Sequence, residues 1–323
     1  MRKLRLVSLL LAIGGFSTQA QAMETVRFAY AVQVHQASMM IIQDYTKKYG
    51  VNLEVVPMRR YADLQLALMT NQVDMAVMGY VNLGLMKEKN FEDYRAVAGV
   101  FSGGQSLTLA KGVNAKTWKD LEGKTLGTAP NSYAELLFKT SVTLAGADMS
   151  KIKTVSFAAG GPPLLSALKN REIDGFVSWE PNNADAALSG DGYYSSLDIG
   201  DNSTKHINGV LTVNLNFLKT KRAAVVGVVK ALVDATNDLN KDMAKYEAVA
   251  VKGTGSPLAT VKEAIPRGSL DYKLHYKEAK ALLQLIAKAK MTQTDTSASV
   301  DSQFDYSLLS EATGLSKAQL GGQ

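Results

Sequence analysis

The sequence runs Ala67-Leu68-Met69-Thr70-Asn71-Gln72-Val73-Asp74-Met75-Ala76-Val77 at one point and Ala167-Leu168-Lys169-Asn170-Arg171-Glu172-Ile173-Asp174-Gly175-Phe176-Val177 at another. The two stretches match position by position at an offset of 100 residues, and Leu64 and Leu164 extend the match. In each copy an amphipathic helix ends, an acidic residue lies in the turn, and an apolar strand follows. We therefore expect the chain to build one α/β unit twice.

The residues before the first copy alternate between short apolar runs and amphipathic stretches. The order strand, helix, strand, helix, strand fits residues 26–30, 38–49, 53–56, 61–69 and 75–78. Such alternation is typical of a parallel sheet with helices on its faces, not of a sandwich or a bundle.

The rest of the chain adds further elements, most of which we assign to the first lobe. We predict a strand at 210–215, one long helix or two at 223–246, an amphipathic helix at 276–290 and a surface loop at 292–300. No linker rich in proline or glycine separates the lobes, which favours strand crossovers near 100–109 and 210–213. The predicted lobes comprise residues 23–104 plus 212–323 for the first and 105–211 for the second.

The amino terminus has the features of an export signal. Arg2, Lys3 and Arg5 precede an apolar run over residues 6–16, and Ala20-Gln21-Ala22 places small residues at a cleavage site. The apolar run is shorter than the roughly 20 residues that a membrane-spanning helix needs. We predict that residues 1–22 are removed and that the mature chain is soluble.

Composition narrows the class further. The chain has no cysteine, which excludes disulfides and the acylated cysteine of an exported lipoprotein, and so favours a free periplasmic protein. The formal net charge of +6 falls to +3 once the three cations of the signal are removed. Lysines and arginines alternate with acidic residues along the chain, which argues against nucleic acid as a partner.

The repeat predicts where a ligand would bind. Gly79-Tyr80 and Trp179-Glu180 follow equivalent strands, and open α/β sheets bind ligands beyond the carboxyl ends of their strands. Two facing lobes would bring both pairs to one cleft. Trp179 is then either a core residue or a ligand contact, and Glu180 either starts a helix with Pro181 or accepts a hydrogen bond from a ligand.

Three further groups are candidates. Ser132 with Glu135 forms a capping-box pattern, so the segment is either simply a capped helix or an anion site built from the amides at Asn131, Ser132 and Tyr133. The loop after the first strand carries Gln33 and His35, and the basic pair Arg59-Arg60 follows the second strand. Each of these residues is either exposed surface or a ligand contact.

Enzyme signatures are missing from the sequence. There is no phosphate-binding loop with lysine, no His-Glu-x-x-His, no Gly-x-Ser-x-Gly and no cysteine nucleophile. We therefore expect a binding protein, not an enzyme, with no metal and no cofactor.

Taken in order, these motifs resemble the periplasmic solute-binding proteins of the nitrate, sulfonate and taurine type of ABC importer, a group related to pyrimidine-precursor binders. The resemblance covers roughly residues 24–250. It is carried by the opening strand, both copies of the repeat, Leu121-Glu122-Gly123-Lys124 leading into Gly127, and Trp179-Glu180-Pro181.

The resemblance implies a type II periplasmic-binding-protein fold, in which two mostly parallel α/β lobes are joined by two strand crossovers and close over a ligand by hinge motion. It also implies docking on an inner-membrane permease, usually as a monomer. Carried over by position, ligand contacts would come from the loop after Tyr30, from Gly79-Tyr80, from the helix start at 131–133, and from Trp179-Glu180.

One position departs from the family pattern. Many members have a small residue after the glycine that matches Gly79, whereas in this chain Tyr80 joins Tyr30, Tyr133 and Trp179 as possible aromatic walls. Such walls suit a flat or partly apolar ligand and argue against a plain inorganic anion such as nitrate.

Three classes of function are open from the sequence, a receptor, an enzyme and a transcription regulator, and the receptor has two possible ligands. The ligand is a small organic anion held near Ser132, or a neutral or cationic heterocycle held by aromatic walls and Glu180. An enzyme on the same fold would resemble self-consuming pyrimidine-precursor synthases, but their cysteine-rich metal segment is missing. A transcription regulator would need a DNA-binding helix pair where the export signal stands.

Overall fold

The computed structural model describes residues 23–58, 60–130, 132–158, 160–199, 204 and 206–323. The predicted export signal, Arg59 and Asn131 lie outside these residues. Within them, every helix is too short or too polar to cross a lipid bilayer.

The first part of the chain alternates strands and helices as predicted. Its elements are β1 (Glu24–Ala31), α1 (Ala37–Thr46), β2 (Val51–Met58), α2 (Tyr61–Met69), β3 (Met75–Gly79), α3 (Tyr80–Glu88) and β4 (Tyr94–Gly103).

The middle part repeats this alternation with shorter elements. They are β5 (Gln105–Ala110), β6 (Thr125–Thr128), α4 (Tyr133–Leu144), β7 (Lys153–Ser156), α5 (Pro162–Lys169), β8 (Gly175–Trp179), α6 (Asn182–Leu188) and β9 (Gly192–Tyr194).

The last part is mostly helical. It comprises β10 (Ile207–Asn214), α7 (Leu215–Thr220), α8 (Arg222–Lys241), α9 (Met243–Thr254), α10 (Leu258–Ala264), β11 (Gly268–Leu270), α11 (Tyr276–Lys288), α12 (Val300–Gln303) and α13 (Ser307–Thr313). The stretch predicted as one long helix or two is two helices, because Asp242 adopts an extended conformation and caps α9 through its side chain.

The strands form two sheets, each flanked by helices. The first sheet has the order β11-β4-β10-β3-β1-β2, and the second has the order β7-β6-β8-β5-β9. We call the parts built on these sheets lobe 1 and lobe 2. The predicted α/β fold class is confirmed, and both sheets are mixed: β1 to β4 run parallel to one another while β10 and β11 run against them, and β5 runs against β6 to β8.

The repeat seen in the sequence has a common structural role in the two lobes. The Asp74 carboxylate accepts a hydrogen bond from the Arg27 backbone amide at 2.9 Å, and Asp174 accepts one from Thr125 at 2.7 Å. Each aspartate therefore joins the start of its strand to the neighbouring parallel strand. Just before each, Asn71 and Arg171 both adopt a left-handed conformation, with φ of 57° and 62°.

The chain passes between the lobes at two places. From β4 to β5 it crosses through Gly103 and Gly104, whose φ angles are 73° and 82°. It returns before Ile207, because all of β10 pairs within the first sheet, so the predicted return at 210–213 is wrong by a few residues. The exact lobe boundaries of 23–104, 105–211 and 212–323 remain predictions, and the last of them falls inside β10.

The segment 292–300 differs from the predicted surface loop. Thr292, Thr296, Ser297 and Ser299 are buried, and the segment packs between α3 and α11. Neighbours pair with two of these hydroxyl groups, at 3.0 Å from Thr292 to Thr294 and from Ser299 to Gln303, whereas Thr296 Oγ1 is buried without a partner among the described residues.

Candidate functional site

A small cavity lies between the lobes, at the end of the sheets where the repeat predicted a cleft. Its volume is about 20 Å³, roughly the space of one water molecule. Lobe 1 and lobe 2 both contribute to its wall, which consists of Gln33, Arg60, Tyr61, Ala62, Ala129, Pro130, Ser132, Ala158 and Trp179. We call this space the interlobe cavity.

The start of α2 forms the lobe 1 side of the cavity. The first intrahelical bonds run from Asp63 and Leu64 to the carbonyl of Arg60, so the amides of Tyr61 and Ala62 have no acceptor within the helix. The Arg60 guanidinium is held by two hydrogen bonds to Asp63, at 2.8 and 2.5 Å. The free amides and the helix dipole make this end of the helix electropositive, while Asp63 offsets the charge of Arg60.

The start of α4 forms the opposite side. Ser132 caps the helix, and its hydroxyl accepts a hydrogen bond from the Glu135 amide at 3.1 Å, as the capping pattern predicted. The Glu135 carboxylate accepts a hydrogen bond from Thr128 and pairs with Lys139, both at 3.1 Å. Two helices from different lobes thus direct their amino-terminal ends at one cavity.

Gln33 is the buried polar side chain of the wall. It is 4% exposed, and its amide makes no hydrogen bond to the helical turn that follows it. A buried amide of this kind retains its donors and its acceptor for a ligand. The prediction that Gln33 lies at the site is in keeping with this position.

Trp179 supplies the largest apolar surface of the wall. It ends β8, is half-buried, and packs against the Gly160 backbone beside the start of α5. Asn182 fixes that glycine turn, because its side chain accepts a hydrogen bond from Gly161 and donates one to Ser178. Together with Ala129 and Ala158, Trp179 gives the cavity one apolar face.

Gly79 and Tyr133 meet across the lobes. A side chain at Gly79 would place its Cβ 2.7 Å from the Tyr133 ring, so only glycine allows this approach. The Tyr133 hydroxyl donates a hydrogen bond to the Ile207 carbonyl of lobe 1. The structure brings both residues next to the cavity as a contact between the lobes, not as part of its wall.

Glu180 lies beside the chain crossover instead of in the cavity wall. It is 1% exposed, and its carboxylate accepts hydrogen bonds from the Ala184 amide at 3.1 Å and from the Tyr194 hydroxyl at 2.9 Å. Burial raises the pKa of Glu180 to about 7. Glu180 therefore lies just before α6 and accepts a hydrogen bond from an amide of its first turn.

His35 also lies at the crossover. It is 1% exposed, one ring nitrogen is 3.1 Å from the Ile265 carbonyl, and its ring stacks on Phe101 at 6.4 Å between centroids. Burial lowers the pKa of His35 to about 4, so the imidazole is neutral at physiological pH. The structure does not bring His35 to the cavity.

Tyr30 and Tyr80 belong to the core of lobe 1. Tyr30 packs near Phe28, and Tyr80 packs near Phe304 with its hydroxyl buried. Neither contributes to the cavity wall, so of the four aromatic walls that the sequence suggested, only Trp179 borders the cavity.

Several wall residues were not predicted. Of the predicted pair Arg59-Arg60, Arg60 lies in the wall, whereas Arg59 and Asn131 lie outside the described residues. The wall residues that the sequence did not suggest are Tyr61, Ala62, Ala129, Pro130 and Ala158. The start of α2 could have been found by the reasoning used for Ser132, since it too follows the carboxyl end of a strand. Among the described residues, no group of three or more His, Asp or Glu side chains could hold a metal ion.

Many solved structures share this fold. The chain has a TM-score of 0.74 and 18% identity to a ligand-binding component of an ABC-type import system from Staphylococcus aureus, solved with zinc bound, over 90% of this chain and 99% of that one. The alkanesulfonate-binding protein SsuA from Xanthomonas axonopodis pv. citri, bound to MOPS, has a TM-score of 0.72 and 17% identity, over 88% of this chain and 98% of that one. The periplasmic nitrate-binding protein NrtA from Synechocystis PCC 6803 has a TM-score of 0.74 and 13% identity, over 90% of this chain and 88% of that one.

An enzyme shares the fold as well. The desulfurization enzyme DSZB has a TM-score of 0.63 and 14% identity, over 90% of this chain and 99% of that one. At these identities the similarities establish the periplasmic-binding-protein fold, as the sequence predicted. No curated protein matches the chain in sequence.

The family follows from the sequence itself. The model of the NMT1-like family matches residues 19–252, which is most of the chain and includes both copies of the repeat and the whole cavity wall. The chain belongs to the NMT1-like family.

Proposed function

We propose that the chain is the extracytoplasmic receptor of an ABC importer and that it captures a small organic anion, a sulfonate or a carboxylate, between its lobes. The observation that carries the proposal is the convergence of two helix amino termini, one from each lobe, on a single cavity. Each terminus presents unpaired amides and the positive end of a helix dipole, which together favour an anionic group.

The other wall residues support an organic anion. Arg60 adds a guanidinium to the polar end, and Gln33 adds a buried amide. Trp179, Ala129 and Ala158 form an apolar face that would contact a carbon skeleton. Nitrate has no such skeleton, so a sulfonate or carboxylate fits the wall better than an inorganic anion does.

Capture requires the lobes to move. Small-molecule sites usually have volumes of about 300–1,000 Å³, far above the 20 Å³ enclosed between the lobes. An organic anion would therefore enter only after the lobes separate, and rotation at the Gly103–Gly104 crossover would then close them over it. We propose that the receptor acts in the periplasm as a monomer and delivers its ligand to an inner-membrane permease.

The heterocycle hypothesis receives less support. It relied on Glu180 and on several aromatic walls, but both oxygens of Glu180 are engaged within lobe 2, and Tyr30 and Tyr80 lie in the core. An enzyme remains the second candidate because DSZB shares the fold. Incubation with each tested compound, followed by mass spectrometry, would detect turnover.

A thermal-shift screen of residues 23–323 tests the proposal. The panel contains ethanesulfonate, benzenesulfonate, propionate, benzoate, nitrate and uracil. We expect one organic anion to raise the melting temperature, since a ligand at 100 times its Kd stabilises by about 2.7 kcal/mol. A shift with uracil alone would favour the heterocycle, and no shift with ligand-stripped, folded protein would refute both.

A pair of variants locates the binding site. Arg60→Gln should weaken binding of the anion about tenfold, because a hydrogen bond to a charged group contributes about 1.5–3 kcal/mol. Arg222→Gln is the control, since Arg222 makes a similarly exposed ion pair, at 2.7 Å with Glu311 on the surface of lobe 1. Equal effects of the two substitutions would contradict an anion site at the start of α2.

A further inference from the structure

One side chain of the cavity wall is linked to a buried amide behind it. The Gln36 side chain is 0% exposed, and its Nε2 lies 2.9 Å from the Tyr61 hydroxyl oxygen. Tyr61 is the first residue of α2, is 6% exposed and lines the interlobe cavity. Gln36 does not line the cavity itself, so it can act on a ligand only through Tyr61.

The direction of this hydrogen bond determines what Tyr61 can offer. Gln36 donates through Nε2, and its Oε1 is buried without a partner among the described residues. Turning the amide over would leave both hydrogens of its NH2 group unpaired in the interior, and buried unpaired donors are rarer than unpaired carbonyl oxygens. The Tyr61 oxygen therefore accepts, and its hydrogen is free to point elsewhere.

Tyr61 keeps that hydrogen at neutral pH. Burial raises the pKa of Tyr61 well above its ordinary value, so the phenol does not ionise in the physiological range. The Gln36 amide is fully buried and Tyr61 lines the cavity, so a hydroxyl hydrogen directed away from the amide is available to a ligand there. A phenol that accepts one hydrogen bond also becomes a stronger donor in the next.

From these contacts we infer that Tyr61 donates a hydrogen bond to an oxygen of the bound anion and that Gln36 is the positioning residue that holds Tyr61 in this donor role. The inference rests on the proposed function and adds a rule of selectivity to it. The ligand group at the polar end must consist of acceptors alone.

The selectivity follows from the neighbours of Tyr61. Its own amide, the Ala62 amide and the Arg60 guanidinium are donors as well, and all three residues line the cavity. A sulfonate or carboxylate satisfies these donors, whereas the NH2 group of a sulfonamide or amide would face them and leave buried donors unpaired. Mismatched donors of this kind can reject a close analogue strongly.

The test compares each anion with its neutral amide. Calorimetric titrations use ethanesulfonate and ethanesulfonamide, benzenesulfonate and benzenesulfonamide, propionate and propionamide, and benzoate and benzamide. Wild type should bind the preferred anion at least about a hundredfold more tightly than its amide. Tyr61→Phe should reduce that ratio about tenfold or more, which corresponds to one hydrogen bond to a charged group.

Gln36 is tested through a double-mutant cycle. Gln36→Leu should reduce the ratio by a smaller factor, and it should have no further effect in the Tyr61→Phe background, since Gln36 acts through that hydroxyl. Gln36→Met replaces it if the leucine variant does not fold. Gln65→Leu and Tyr94→Phe are the controls, because both residues are buried in lobe 1 and hydrogen-bonded away from the cavity.

The outcomes separate the two levels of the proposal. If wild type binds none of the anions, the proposed function fails and the donor role fails with it. If wild type binds an anion but Tyr61→Phe keeps the full ratio of anion to amide affinity, the donor role alone is wrong. Additive effects of the two substitutions would refute the positioning role of Gln36.

Discussion

At the scale of single residues, Glu180 shows how burial changes the meaning of a charged side chain. Its carboxylate is enclosed by Ala184 and Tyr194, and the Arg267 guanidinium lies 3.7 Å from the centre of the Tyr194 ring. Burial outweighs these favourable contacts and raises the pKa of Glu180 from 4.5 to about 7. Between pH 4.5 and 7 the folded protein therefore keeps a proton on Glu180 that the unfolded chain has released.

The stability of the protein should follow this proton. Because folding raises this pKa, the contribution of Glu180 to stability is fully present below about pH 4.5. It is lost as the pH rises through 7, by up to about 3 kcal/mol. Glu180→Gln should remove this loss, so that urea unfolding gives a more stable variant at pH 8 and little difference at pH 4.5. Parallel stability curves for the two proteins would contradict it.

At the scale of elements, the repeat was the most reliable guide. The strands β3 and β8 begin 100 residues apart, as the sequence indicated, because each begins after an aspartate that binds the neighbouring strand. Sequence could not show that Ser and Thr residues of 292–300 are buried, since the helices α3 and α11 that cover them are identified only by the fold. It also could not show that Tyr80 enters the core while Tyr61 reaches the cavity.

The crossover between β4 and β5 depends on a glycine next to His35. Gly104 has a φ of 82°, and a Cβ there would lie 2.6 Å from His35 Nδ1. Gly104→Ala should lower the free energy of unfolding by the cost of the left-handed conformation, about 1–2 kcal/mol, plus about 1–3 kcal/mol for overpacking. Gly112→Ala is the matched control, because Gly112 has a φ of 89° with open space around it.

Chemical denaturation of both alanine variants separates the two costs. The conformational cost is common to them, so the difference between Gly104→Ala and Gly112→Ala measures the contact with His35. If the two variants are equally stable, the contact with His35 adds no cost at position 104, and the predicted dependence of the crossover on this glycine is wrong.

At the scale of the whole molecule, the sequence predicted two lobes and the edge at which they meet, but only part of the wall of the interlobe cavity. Gln33, Ser132 and Trp179 are in the cavity wall, because strand ends and helix starts can be located from periodicity and capping residues. Four other candidates lie close in sequence to the wall residues, but their side chains make buried contacts elsewhere: Glu180, His35, Tyr30 and Tyr80. Spacing along a sequence does not specify the direction of a side chain, and that direction decides between a ligand and a core contact.

Closure of the two lobes should depend on Tyr133, which joins α4 of lobe 2 to Gly79 and Ile207 of lobe 1. Tyr133→Phe removes one buried hydrogen bond, worth about 1 kcal/mol, from the closed form alone. Free Tyr133→Phe should therefore have a larger radius of gyration than free wild type in X-ray scattering, and it should bind the proposed anion more weakly by a factor of up to about five. With saturating anion the two radii should agree.

The control for Tyr133→Phe is Tyr246→Phe, whose hydroxyl donates to the Val34 carbonyl within lobe 1 at 3.3 Å. It removes a comparable bond without loosening the contact between the lobes, so its radius and affinity should stay at the wild-type values. If Tyr133 instead contacted the ligand directly, Tyr133→Phe would weaken binding but leave the radius of the free protein unchanged. Scattering from the free protein thus distinguishes a residue that holds the lobes together from one that holds the ligand.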